Sequence, residues 1–176
     1  MNFTETKLVG AFVIDLEQFE DERGFFGRCW SQEEFADRGL NPRLVETNIS
    51  FNRKAGTLRG MHLQIAPHAQ AKLVRCTAGA IYDVIIDLRP ESTTFKQWIA
   101  IELSAANRRQ LYIPEGFAHG FQTLVENTEV LYQMAAPYVA ESARGVRWND
   151  PAFGIVWPPA ERIIIARDQT YPDFTR

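Results

Sequence analysis

Cysteine and histidine are both scarce in this 176-residue chain, which has two of the first and three of the second. Two cysteines, Cys29 and Cys76, cannot build a disulfide scaffold. Both lie in apolar, strand-like surroundings, so buried free thiols are expected. A basic excess is missing as well. With a formal net charge of −3 and a pI near 5.7, the chain is no general polyanion or nucleic-acid binder. Any phosphate it recognises must be met by a few placed arginines and lysines. No apolar run approaches membrane-spanning length, and the opening stretch MNFTETKLVG lacks the basic-then-apolar pattern of a leader. No membrane partner is expected, and the reading is cytoplasmic. Repeats, low-complexity tracts and linkers are absent too, so residues 1–176 read as a single domain, long enough to bury a core.

What the chain does have is a series of short β-type runs, punctuated by Gly, Pro and Asn. They are KLVGAFVI, GFFGRCW, RLVETNIS, KLVRCTA, AIYDVIIDL, QWIAIEL, RQLYIP, HGFQTLV and EVLYQMA. So many strands without helical periods predict an all-β sandwich or barrel. One short helix is signalled by Ser31 and Glu34 at capping-box spacing, with Gly39 as its stop. The stretch AAPYVAESARGVRWNDPAFGIVWPP reads as a packed loop leading into a last short strand, RIIIARD.

Two kinds of chemistry compete for the histidines. PEGFAH, ending at His119, has the P-x-G-x-x-H spacing of a metal cupin's second motif. Such a site needs an earlier pair of histidines and a carboxylate. Here the earlier stretch is His62-Leu63-Gln64, and His68, in APHAQA, reads as an exposed loop residue. Two placed histidines make a poor metal site, so no metal is expected. The alternative is acid–base work. Histidine titrates near neutrality, tyrosine can serve as an opposing acid, and lysine can stabilise a developing oxyanion. His62, Lys72, Asp83, His119, Tyr132 and Asp168 each lie in or beside a strand-like run, from which polar groups can line a barrel's interior. Each also has a plain structural reading: Lys72 as a strand-end surface lysine, Tyr132 as a core tyrosine, Asp168 as a turn residue. Spacing alone does not choose between them.

DERGFF, TLRGMHLQ, AKLVRCTAGAIYDVIIDLR, RRQLYIPEGFAHGF and VRWNDPAFGIVWP together resemble the dTDP-4-dehydrorhamnose 3,5-epimerase family, in that family's order, from about Asp21 to Asp168. The resemblance implies a metal-independent cupin-type β jelly roll. It also implies a homodimer in which a segment of one subunit completes the other's site. The partner molecule would be a nucleotide-diphospho-4-keto-6-deoxy sugar, epimerised at C5 and, where competent, C3 through an enolate. By the same resemblance His62 is the base, Asp168 orients it, Lys72 stabilises the enolate and Tyr132 is the acid. Asp83 and His119 support this network. Arg59 and Arg23 hold the pyrophosphate, while Asn48, Gln64, Phe26 and Tyr138 are further substrate contacts. No cofactor is required, because the substrate's own carbonyl is the electron sink. A keto-sugar isomerase and a non-catalytic sugar-nucleotide-binding cupin are the alternatives on this scaffold. Retention of both base and acid argues against each.

The chain departs from the family pattern in places. Arg28 stands where a glutamate is usual, and that glutamate reaches toward thymine from a neighbouring subunit. A carboxylate can accept from thymine N3–H, whereas arginine only donates. Cytosine N3 and O2 both accept, so Arg28 motivates a CDP-linked substrate as an alternative to a dTDP-linked one. The competing expectation is that Arg28 turns to solvent or pairs with a carboxylate. Glu46 replaces a common glutamine, Leu63 a tyrosine, and Ala140 and Ala143 occupy places where a proline and an acidic residue are frequent. These leave the sugar, the base, and the choice among C3, C5 or both open.

Overall fold

The computed structural model describes residues 1–175. The strands are β1 (Asn2–Glu5), β2 (Phe12–Asp15), β3 (Phe19–Asp21), β4 (Gly24–Phe26), β5 (Glu46–Asn52), β6 (Leu58–Gln64), β7 (Lys72–Ala78), β8 (Ala80–Asp87), β9 (Trp98–Ser104), β10 (Gln110–Ile113), β11 (Phe117–Thr123), β12 (Thr128–Met134) and β13 (Ala143–Gly145). Two short α-helices, α1 (Gln32–Ala36) and α2 (Ala166–Gln169), and one 3-10 turn at Ala140–Ser142 complete the described residues. The strands pair antiparallel in a six-stranded sheet, β1-β2-β10-β7-β12-β5, and a five-stranded sheet, β13-β6-β11-β8-β9. This is the all-β architecture that the strand runs predict, in the cupin-type β jelly-roll form that the family resemblance implies.

Strand β8 shows why the sheets stack. Its run AIYDVIID is apolar on both parities, and both faces are covered. Ile81 and Ile85 point between the sheets, against Val74, Leu111, Phe121 and Val130. Val84 and Ile86 point outward and pack with Leu58, Met61, Val146, Phe153 and Trp157. Burying each such side chain is worth about 1.5–3 kcal/mol. The segment read as a packed loop thus roofs the five-stranded sheet, while Phe35 and Leu40 roof the six-stranded one.

Local details refine the sequence reading. Ser31 Oγ accepts from the Glu34 N–H at 3.4 Å, and Gly39 stops α1 at φ 68°. KLVGAFVI is not one strand: Gly10 (φ 85°) turns the chain before β2, and the unforeseen β1 pairs with β2. TLRGMHLQ, absent from the predicted strands, forms β6. RIIIARD is no strand beyond an isolated bridge between Ile163 and Thr57. Ile163 exchanges backbone hydrogen bonds with Gly56 and Leu58, but the pairing goes no further and the chain coils into α2. Cys76 is buried, but Cys29 is only half-buried; both are free thiols. The hairpin β3–β4 joins neither large sheet and exposes Phe19 and Phe26 (61% and 75%). Beyond β12, β5 is a sheet edge that exposes Ile49 and Phe51. Among the described residues, no helix is long and apolar enough to cross a membrane.

Candidate active site

A cavity of about 550 Å³ opens between the two sheets. His62 on β6 and His119 on β11 are direct cross-strand neighbours and form one wall. Lys72 on β7, Tyr132 on β12 and Asn48 on β5 come from the other sheet. Close approach of backbone builds the first wall. A Cβ on Gly120 would lie 2.7 Å from the Arg59 carbonyl oxygen and 2.9 Å from Gly60 Cα, so only glycine fits there.

His62 Nε2 lies 2.8 Å from Asp168 Oδ1, and Asp168 Oδ2 accepts from the Gly60 N–H at 3.1 Å. Asp168 is almost wholly buried. Burial alone would raise its carboxyl, but hydrogen bonds from His62, the Gly60 N–H and Arg167 hold it below the ordinary carboxylate value. An ionised carboxylate only accepts, so Nε2 carries the hydrogen and Nδ1 keeps the lone pair that can take a proton. Arg167 Nη2 is 3.3 Å from the same Nε2, which places a fixed positive charge at the imidazole.

The opposite wall is drier. Lys72 is buried, donates to the His62 carbonyl oxygen at 3.1 Å, and has its ammonium pushed down to about 8 by burial, against the pull of Asp83. Burial also pushes the Tyr132 phenol well above its ordinary value, with the Asp83 charge adding to the effect. The ring packs edge-on against His119, 5.9 Å between centroids. His119 is lowered by burial, opposed by Asp83, whose Oδ1 is 2.7 Å from its Nε2. Pushed down to about 8, Lys72 still carries its charge at neutral pH, and a phenol that resists ionisation holds its proton until a strong base forms beside it.

Of the residues singled out from sequence, His62, Lys72, His119, Tyr132, Asp168, Arg59, Asn48, Gln64 and Tyr138 line the cavity. Asp83 does not; it is fully buried behind His119, so it is a support and not a substrate contact. Gln64 reaches the cavity, yet its amide is engaged with the backbone of the loop carrying Tyr138. It donates to the Pro137 and His68 carbonyls and accepts from the Val139 N–H. Glu46 lies outside, accepting from the Tyr138 N–H at 3.4 Å. Arg23, Phe26 and Arg28 are also outside, on or beside the exposed hairpin. Arg23 pairs with Asp21, and Arg28 Nη1 with Glu34 Oε1 at 3.2 Å. Sequence reasoning missed Arg167 and Tyr171. Read as a strand, RIIIARD hides Arg167, and Tyr171 lies just beyond the C-cap of α2, where no pattern of the sequence marks it.

The sequence model of the dTDP-4-dehydrorhamnose 3,5-epimerase family matches residues 5–176. The Sinorhizobium fredii dTDP-4-dehydrorhamnose 3,5-epimerase is 41% identical over 173 residues, 98% of this chain and 89% of the relative. The crystal structure of the Elizabethkingia anophelis dTDP-4-dehydrorhamnose 3,5-epimerase superposes with a TM-score of 0.96 at 42% identity, covering 99% of this chain and 96% of that one. The Bacillus anthracis dTDP-4-dehydrorhamnose 3,5-epimerase with TDP and PPi bound gives 0.93 at 43% identity, covering 98% and 99%. With the motif residues gathered around one cavity and the match spanning almost the whole chain, this protein belongs to the dTDP-4-dehydrorhamnose 3,5-epimerase family.

Proposed function

We propose that the chain epimerises a dTDP-linked 4-keto-6-deoxyhexose at C5, and at C3 where that carbon reaches the base. One observation carries the reading: His62, with Asp168 behind it, stands on one sheet, and Tyr132 and Lys72 stand on the other. Inversion of a carbon requires the proton to leave one face of the sugar ring and return to the other. Two facing sheets supply an acceptor and a donor on opposite sides. The 4-keto group acidifies the neighbouring C–H. His62 Nδ1 takes the proton, and the Lys72 ammonium stabilises the enolate oxygen, a contribution of about 3–4 kcal/mol for one well-placed donor. Tyr132 then delivers a proton from the far side. Arg59, held by Asn52 at 2.8 Å, is the diphosphate anchor.

The homodimer belongs to the same proposal. The unpaired hairpin β3–β4 and the exposed apolar edge at β5 support an exchange in which Arg23, Phe26 and Arg28 enter the partner's cavity. Sedimentation at micromolar concentration tests it, and a monomer overturns it. The cytidine alternative keeps one support, an arginine where the family resemblance places a glutamate, while the Bacillus anthracis relative with TDP bound favours the dTDP-linked reading. The deciding experiment for activity is incubation with a dTDP-4-keto-6-deoxyhexose in heavy water. Deuterium at C5 is expected, and no label at C3 or C5 with either dTDP- or CDP-linked sugar defeats the epimerase reading.

A further inference from the structure

Tyr171 enters the cavity on a strap anchored at several points. Arg147 donates to the Tyr171 carbonyl oxygen at 3.3 Å and pairs with Asp173. The Phe174 N–H donates to Asp150 Oδ2 at 2.6 Å, and the Phe174 ring packs on Phe153. The aromatic ring itself has a cut-out seat. A Cβ on Gly145 would lie 2.2 Å from Tyr171 Cζ, and Gly145 is the β13 residue paired in register with His62. Tyr171 therefore occupies the space that a side chain beside the base would take. Its ring meets the His62 imidazole edge to face, 6.3 Å between centroids. Among the described residues its hydroxyl has no hydrogen-bond partner, although it lies within the electrostatic reach of Arg167, Asp168 and Tyr138. A phenol that faces the cavity beside the base, with no protein partner, is free to hydrogen-bond a ligand held there.

We propose that Tyr171 is a substrate-contacting specificity residue: its hydroxyl hydrogen-bonds the sugar ring held against His62, and its ring edge keeps the imidazole aimed at the reacting carbon. Neither the motifs nor the residues that the family resemblance implies include it. The inference rests on the epimerase reading, and the sugar is the part of the substrate that must lie beside the base. Loss of the hydroxyl should therefore weaken sugar recognition and leave the nucleotide end alone.

The experiment compares wild type with Tyr171→Phe, Tyr171→Ala, Gly145→Ala and the Gly145→Ala/Tyr171→Ala pair. It measures kcat and KM for the dTDP-4-keto-6-deoxyhexose, the Kd of dTDP alone, and the melting temperature. Tyr171→Phe should raise KM about tenfold, the effect of one lost hydrogen bond, with dTDP affinity within about twofold of wild type. Tyr171→Ala should in addition lower kcat, as the imidazole loses its support. Gly145→Ala should mimic Tyr171→Ala by evicting the ring, and the pair should be no worse than Tyr171→Ala. Wild-type kcat and KM in both Tyr171 variants overturn the inference alone, as does a dTDP affinity that falls in step with KM. Absence of any turnover or label by the wild-type chain overturns the epimerase reading and this inference with it.

Discussion

His62 and Asp168 stand 106 positions apart in the chain, yet their side chains meet at 2.8 Å, and the carboxylate is also tied to the backbone N–H of Gly60. The contact sets which ring nitrogen carries the hydrogen and so which can act as base. It also explains why a one-turn helix closes the chain's path back to β6: without that turn the aspartate would not reach the histidine.

His62→Ala should abolish deuterium incorporation. Asp168→Asn should lower kcat by about 10²- to 10⁴-fold, the usual worth of a positioned base, because an amide no longer holds the productive tautomer. Kinetics in heavy water check both, and an Asp168→Asn enzyme with undiminished kcat refutes the orienting role.

Tyr132→Phe should separate the two half-reactions. Proton abstraction lies on the other wall, so exchange at the substrate carbon persists while inverted product falls by at least about tenfold. Chiral analysis of the labelled sugar distinguishes the outcomes, and equal loss of exchange and product would count against Tyr132 as the acid.

Lys72, pushed down to about 8 by burial, gives a sign for the pH dependence. Below pH 8 the ammonium is present and supports the enolate; above it the charge is lost. The kcat/KM limb assigned to this group should therefore fall as pH rises through about 8. In Lys72→Met that alkaline limb should disappear from a strongly reduced profile. A pH–rate curve flat between 7 and 9, a range set about that value, would contradict the assignment.

Gly120→Ala should destabilise the protein by about 1–3 kcal/mol, the usual cost of forcing atoms into a filled space. The new methyl would meet Met61, the Arg59 carbonyl and Gly60 Cα from the neighbouring strand. Urea denaturation measures the loss, and a stability equal to wild type would mean that β6 and β11 can part without cost.

Nucleotide preference tests the place of Arg28. On the dTDP-linked reading, dTDP is expected to bind at least about tenfold tighter than CDP, a difference near 1.4 kcal/mol. Calorimetry with both diphosphates decides the matter. A reversed order would make the substrate cytidine-linked and give Arg28 a direct part in choosing the base.

Local patterning determined much of this protein. Apolar runs of strand length specified an all-β sandwich or barrel, and Ser31 and Gly39 bounded α1 by capping and left-handed geometry; the family resemblance narrowed the fold to a jelly roll and named His62, Lys72, Tyr132 and Asp168 as a set. Periodicity speaks only of neighbours along the chain. It could not tell that RIIIARD would coil into a helical turn, because its isoleucines are strand formers and only the tertiary structure limits their pairing to the single bridge at Ile163. For the same reason it could not reveal that Tyr171 fills the notch at Gly145, or that Gln64 is engaged in mounting the Tyr138 loop. Nor could it reveal that Asp83 stands behind His119 instead of beside the ligand. Those facts depend on contacts between distant segments, which come into being only when the two sheets stack and their side chains compete for one interior.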